Sequence, residues 1–196
     1  MVCLSNPANA QFIGIDADYA IAYSAAPESV TGGSVGISHP APFFPNIGYS
    51  TVSFNDKEDI TDSESNSSVS LTTKTTIKTI NLFYNVPFPV VSIAVGFGFG
   101  SDNLYTGVAT ETTIVETNSS GEKITDTTSE FKTDVTEAFM RIGLPFWSTI
   151  EFHLGYHAMS FTSIDITKST TLLGTYSINK KSYSGGMTTI GVQVAF

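Results

Sequence analysis

The stretch Ile80 to Gly100, INLFYNVPFPVVSIAVGFGFG, reads as two strands around a Pro-bearing turn at Asn85-Val86-Pro87-Phe88-Pro89. After the turn, Val91, Ile93, Val95, Phe97 and Phe99 alternate with Ser92, Ala94, Gly96, Gly98 and Gly100. Strict alternation puts large apolar side chains on one face of a strand and small ones on the other. A soluble sheet would carry polar side chains on its second face, not glycine. A bulky apolar face backed by a small one suits a tight barrel, with lipid outside and crowded side chains inside. The far end of the chain repeats the pattern. Ile190, Val192, Val194 and Phe196 alternate with Thr189, Gly191, Gln193 and Ala195, and the chain stops on the aromatic.

Working outward from these two segments, the whole chain parses into strands and turns. Gln11 to Ser24 alternates Ile13, Ile15, Ala17, Tyr19, Ile21 and Tyr23 with a face that carries Asp16 and Asp18. Two aspartates within an apolar strand are costly in lipid, so they must face a polar interior. Further strands are expected over 29–38, 46–55, 69–84, 107–117, 123–144, 149–161 and 183–196, with the Gly-lined strand at 90–100. Short Pro/Phe turns recur at 39–45, 85–89 and 145–147, whereas 56–68, 101–122 and 167–181 are long, polar connections. The segment 56–68 is acidic and without alternation, and is read as a loop. Unequal ends of this kind belong to an all-β, antiparallel, up-and-down transmembrane β-barrel. The expected count is eight strands, with both termini on the short-turn side. Phe43, Phe44, Phe88, Phe146 and Trp147 beside those turns would form an interfacial girdle.

Composition agrees with this class and excludes others. The 196-residue chain is one domain's worth, has a net charge of -9 with 14% charged residues, and a mean hydropathy of +0.10. An acidic chain has no basic patch with which to neutralise nucleic-acid phosphates. There is no apolar run long enough for a transmembrane helix, and a barrel needs none. Cys3 is the only cysteine. It falls in residues 1–10, read as the remnant of a signal peptide that ends in the small-x-small site Ala8-Asn9-Ala10. The barrel domain is then 11–196.

The hairpin PFPVVSIAVGFGFG and the terminal GVQVAF make the chain resemble the OmpA/OmpX-like superfamily of small outer-membrane β-barrels. The resemblance implies a place in the outer membrane of a Gram-negative-type bacterium, among its lipid and lipopolysaccharide. It also implies that Phe196 is the assembly signal read by the barrel-assembly machinery. A lipocalin is the rival soluble barrel, but its early Gly-x-Trp is missing, and the lone tryptophan is Trp147.

Alternation also sorts the charges. Glu137, Phe139 and Arg141 fall opposite Ala138, Met140, Ile142 and Leu144, and Glu151, His153, Gly155, His157 and Met159 fall opposite Ile150, Phe152, Leu154, Tyr156 and Ala158. With Asp16 and Asp18, the lumen set is Asp16, Asp18, Glu137, Arg141, Glu151, His153 and His157. A charge-paired structural core is the expected role, since an eight-stranded lumen is just wide enough to be filled by side chains. A catalytic reading would take His153 or His157 as base, Glu151 as its orienter and a serine as nucleophile. No nucleophile motif supports it, and no cofactor is implied. His153 and His157 stand roughly 13–14 Å apart along one strand, too far to share a metal ion. Calcium binding by Asp56, Glu58, Asp59, Asp62 and Glu64, and headgroup contact by Lys168, Lys180 and Lys181, are weaker candidates. The expected function is non-enzymatic: a surface, adhesion or envelope-integrity protein with an extracellular ligand. A narrow channel or carrier is the alternative, resting on the Gly-lined inner face of 90–100, which would leave lumen unfilled.

Overall fold

The computed structural model describes residues 13–26, 28–39, 41, 43–62, 67–87, 90–147, 149–161, 164–170, 174–181 and 184–196. The leader at 1–10, with Cys3 and the Ala8–Ala10 site, lies outside them, as do Phe88 and Glu64. The strands are β1 (Gly14–Tyr23), β2 (Thr31–Ser38), β3 (Asn46–Asp62), β4 (Ser67–Pro87), β5 (Ser92–Gly100), β6 (Gly107–Thr117), β7 (Lys123–Thr133), β8 (Val135–Pro145), β9 (Ile150–Phe161), β10 (Ile164–Thr170), β11 (Gly174–Lys181) and β12 (Gly185–Ala195).

Eight of them, β1, β2, β3, β4, β5, β8, β9 and β12, pair in chain order and close on themselves between β12 and β1. Every neighbouring pair is antiparallel, so the barrel runs up and down. Closure leaves the barrel itself no open edge. The start of β1 and the end of β12 meet at the short-turn end, where the Phe196 N–H donates to the Ile13 carbonyl at 2.9 Å. At that end His39 organises one short turn. Its backbone N–H donates to Asn46 Oδ1 at 2.9 Å, and its Nε2 lies 3.1 Å from the Pro45 carbonyl.

The outer surface explains the lipid-facing pattern. Ile13, Ile15, Tyr19, Ile21, Val35, Ile37, Val95, Phe97, Leu144, Phe152, Leu154, Tyr156 and Ile190 are all exposed. So much contiguous apolar surface is far beyond what a water-soluble monomer shows. On β1 it runs from Ile13 to Ile21, about nine residues or ~30 Å of strand, and ~23 Å along the barrel axis at a tilt of about 40°. Phe43, Phe44, Phe146 and Trp147 ring its lower limit, all exposed.

Four strands continue beyond that band. β4 is 21 residues long. Its second half pairs with β5 and its first half with β6, so β5 and β6 together form one interrupted strand beside it. β7 pairs with β6 and runs into β8 with only Asp134 between. The expected loop at 56–68 is therefore a correction: β3 stays paired with β4 as far as Asp62 opposite Ser67. The alternation that would have flagged a strand disappears there because outward positions meet water rather than lipid. The polarity of β4 in fact inverts. Near the short-turn end Tyr84 faces out and Asn81 in, whereas further up Lys74 and Lys78 face out and Val69, Leu71 and Ile77 are buried. Val69, Leu71 and Ile114 form a separate apolar cluster inside this extension. At its tip, Asn118 Oδ1 accepts from the backbone N–H groups of Ser120 and Glu122 at 3.1 and 2.8 Å, and Gly121 takes the positive φ of 81° that the turn requires.

Candidate functional site

The inward faces of β1, β8, β9 and β12 bring most of the expected lumen set together. Arg141 Nη1 donates to Asp16 Oδ1 at 2.8 Å and to Asp18 Oδ2 at 3.1 Å. Asp18 Oδ1 lies 2.7 Å from His153 Nε2, and Ser34 Oγ donates to Asp18 Oδ2 at 2.7 Å. The guanidinium carbon sits 4.5 Å above the Phe83 ring centre, so its face is covered as well as its edge. Buried charges of this kind need pairing, because an isolated one is several kcal/mol less favourable than in water.

A second group stands further toward the long-loop end. His157 Nδ1 is hydrogen-bonded to Glu137 Oε1, and His157 Nε2 lies 3.2 Å from Thr189 Oγ1. Thr79 Oγ1 donates to Glu137 Oε2 at 2.6 Å, and Ser50 Oγ reaches Thr79. Phe139 stacks on the His157 ring at 4.9 Å with 15° between the planes. Glu151 does not join either group. It is half-buried near the short-turn rim, where its carboxylate crosses Gly143, and it makes no ion pair among the described residues. The orienting carboxylate of His157 is therefore Glu137 on the neighbouring strand, a cross-strand relationship that spacing along one strand does not reveal.

Glu137, His157 and Thr189 stand in the order carboxylate, imidazole, hydroxyl, which is the order of an acyl-transfer triad. All three are 1% exposed. One space beside His157 and Arg141, bounded also by Asp16, Gly48, Asn81, Phe83 and Phe139, amounts to about 10 Å³, the size of a single water.

The glycines of β5 do not leave the lumen open. A Cβ on Gly96 would stand 2.3 Å from Phe139 Cζ, and one on Gly98 would stand 2.3 Å from Asn81 Oδ1 and 2.7 Å from Glu137 Oε2. They are small because large neighbours fill the space. Above the polar layer the lumen turns apolar, with Val52, Phe54, Ile77, Met159, Phe161 and Met187 packed across it. Tyr23 belongs to that cluster, in contact with Phe54 at 5.4 Å between ring centres. Strict alternation places Tyr23 outside; a register shift between Ala20 and Ala22 turns it inward. Ser34, Ser50, Thr79, Asn81, Phe83 and Thr189 were not legible as site residues, since single hydroxyls, an amide and a ring on separate strands carry no local signal. The side chains of Lys168, Lys180 and Lys181 lie outside the described residues, and Asp56, Glu58, Asp59 and Asp62 sit along β3 instead of in a cation-binding loop.

No family model matches the sequence, and no curated protein matches it. Among solved structures, the chain is similar to the outer membrane protease OmpT from Escherichia coli, with a TM-score of 0.50 and 9% identity over 85% of this chain and 64% of that one. It also overlays on a major outer membrane protein from Thermus thermophilus (TM-score 0.49, 11% identity, 94% and 99% covered). A third match is the N-terminal β-barrel domain of Pseudomonas aeruginosa OprF (TM-score 0.43, 14% identity, 94% and 96% covered). The fold is that of the outer-membrane β-barrels, closed here by eight strands.

Proposed function

We propose that this is a non-enzymatic protein of the outer membrane of a Gram-negative-type bacterium, acting at the cell surface in adhesion or envelope integrity. The observation that carries the reading is the extension of β3, β4, β6 and β7. It rises past the apolar band, exposes a polar outer face and keeps its own buried cluster of Val69, Leu71 and Ile114. Elaborate structure outside the membrane, over a lumen filled by side chains, supports a role in contact with something outside. Its partners on this reading are outer-membrane lipid, the barrel-assembly machinery that inserts it, and an extracellular ligand.

The test is to shorten the extension while keeping the barrel. Joining Thr51 to Lys78 and Gly100 to Val135 through short turns removes the paired segments beyond the apolar band. The shortened protein should still migrate as a compact barrel on unboiled gels, yet cells bearing it should lose the surface attachment or detergent resistance that the full protein confers on a null strain. Full retention of both phenotypes would overturn the proposal, as would turnover of phospholipid or lipopolysaccharide by the purified protein that His157→Ala abolishes.

A further inference from the structure

We infer that the lumen binds a single water molecule at a fixed site beside Asp16, and that this water joins the two polar groups into one network. The inference concerns the barrel interior and holds whatever the extension contacts. The site is the space of about 10 Å³ that Gly48, Phe83 and Phe139 help to close. Asp16 is 2% exposed, and its Oδ1 is taken by Arg141 Nη1. Its Oδ2 is buried and has no hydrogen-bond partner among the described residues. A buried polar atom in that condition is rare in a folded protein, because nothing replaces the hydration it has lost. Asp16 also lines the space, so the oxygen without a protein partner stands beside a volume that one water fills.

The other walls select the ligand. Arg141 lines the same space, and both of its bonds to described residues leave from Nη1. Nε and Nη2 remain as donors. Asn81 lines it from β4, buried, with an amide that both donates and accepts. A carboxylate on one side repels an anion, and a guanidinium on the other repels a cation. A neutral molecule with a single heavy atom meets all three walls. It donates to Asp16 Oδ2, accepts from Arg141 and bonds the Asn81 amide. About three hydrogen bonds is the usual complement of a buried water. Among the described residues no direct hydrogen bond runs between the group of Asp16, Asp18, Arg141 and His153 and that of Glu137, His157 and Thr189. Asn81 belongs to the second group, since Thr79 Oγ1 stands 2.9 Å from Asn81 Oδ1 and 2.6 Å from Glu137 Oε2. The water therefore supplies the link, from Arg141 and Asp16 through Asn81 and Thr79 to Glu137.

The experiment is a crystal structure of the full chain grown from detergent with rubidium bromide, whose two ions are visible by anomalous scattering. The wild type should show one peak within hydrogen-bond distance of Asp16 Oδ2, without anomalous signal. An alanine Cβ at Gly48 would stand 3.2 Å from the Val35 carbonyl oxygen and 3.5 Å from Asn81 Cβ, a close fit without overlap. Gly48→Ala should therefore fill the site. The peak should vanish while the barrel stays compact on unboiled gels, and oxygen-17 relaxation dispersion of the micellar protein should drop by about one long-lived water. Empty density in the wild type overturns the inference. An anomalous peak at the site also overturns it, because the ligand is then an ion. Unchanged density and dispersion in a folded Gly48→Ala variant overturn it too. Should Gly48→Ala fail to fold, the wild-type map decides alone.

Discussion

His157 lies flat against Phe139, 4.9 Å between ring centres and 15° between planes, while its Nδ1 faces Glu137. The imidazole is therefore held on its face by a ring and on both edges by polar partners, with 1% of its surface exposed. Removing one member of such a buried pair leaves the other without compensation. Glu137→Ala should destabilise the barrel by about 3–5 kcal/mol, read from urea unfolding in micelles. The Glu137→Ala/His157→Ala double variant should recover part of that loss, because the orphaned partner is gone. A loss below ~1 kcal/mol for Glu137→Ala would contradict the pairing.

Leu154 and Val95 are about half exposed on the apolar band. An arginine at either position meets hydrocarbon and should cost about 2–4 kcal/mol. Thr72→Arg, on the outward face of β4 beyond Lys74, meets water and should stay within about 0.5 kcal/mol of wild type. Folding yield into vesicles, scored by unboiled gel mobility, separates the two classes. Equal yields for Leu154→Arg and Thr72→Arg would place the band in water.

A side chain on Gly96 would run into Phe139, and its Cβ would stand only 2.8 Å from the Leu82 carbonyl oxygen. Even Gly96→Ala should cost about 1–3 kcal/mol through overpacking. Planar-bilayer recordings of the wild type should show no steps or very small ones, because Phe83, Phe139 and Arg141 occupy the cross-section. Large, stable steps would mean that the lumen opens.

Phe196 is largely exposed, and its backbone N–H is bonded to the Ile13 carbonyl. Deleting it should leave unfolding free energy within about 0.5 kcal/mol of wild type. Insertion in cells should slow measurably in pulse-chase, if the terminal aromatic is the assembly signal. Unchanged insertion kinetics would remove that role.

The strands most legible in the sequence are those with lipid on one side. Val91 to Phe99, Ala138 to Leu144 and Ile150 to Ala158 alternate because a methylene in lipid and a carboxylate in the lumen cannot exchange places. Outside the membrane that constraint vanishes. Asp56 to Asp62 reads as loop, though its backbone is as regularly paired as any other. Asp16, Asp18, Glu137, Arg141, His153 and His157 were legible as inward-facing, while which of them pair with which was not. Alternation assigns a residue to a face. It does not tell which residue on the next strand stands level with it, and Glu137 and Thr189 meet His157 only through registers fixed by the closed ladder.

β4 crosses from the membrane into the space outside without a break, paired on one side with β3 from Ser67 to Phe83 and on the other with β5 and then β6. Ladder hydrogen bonds lie perpendicular to the strand. A pull on the tip of the extension, directed away from the cell, therefore loads the whole ladder in shear, with no end bond bearing the strain first. The extension is a mast stepped into the barrel wall, and a force applied at its tip is delivered to that wall rather than to a hinge.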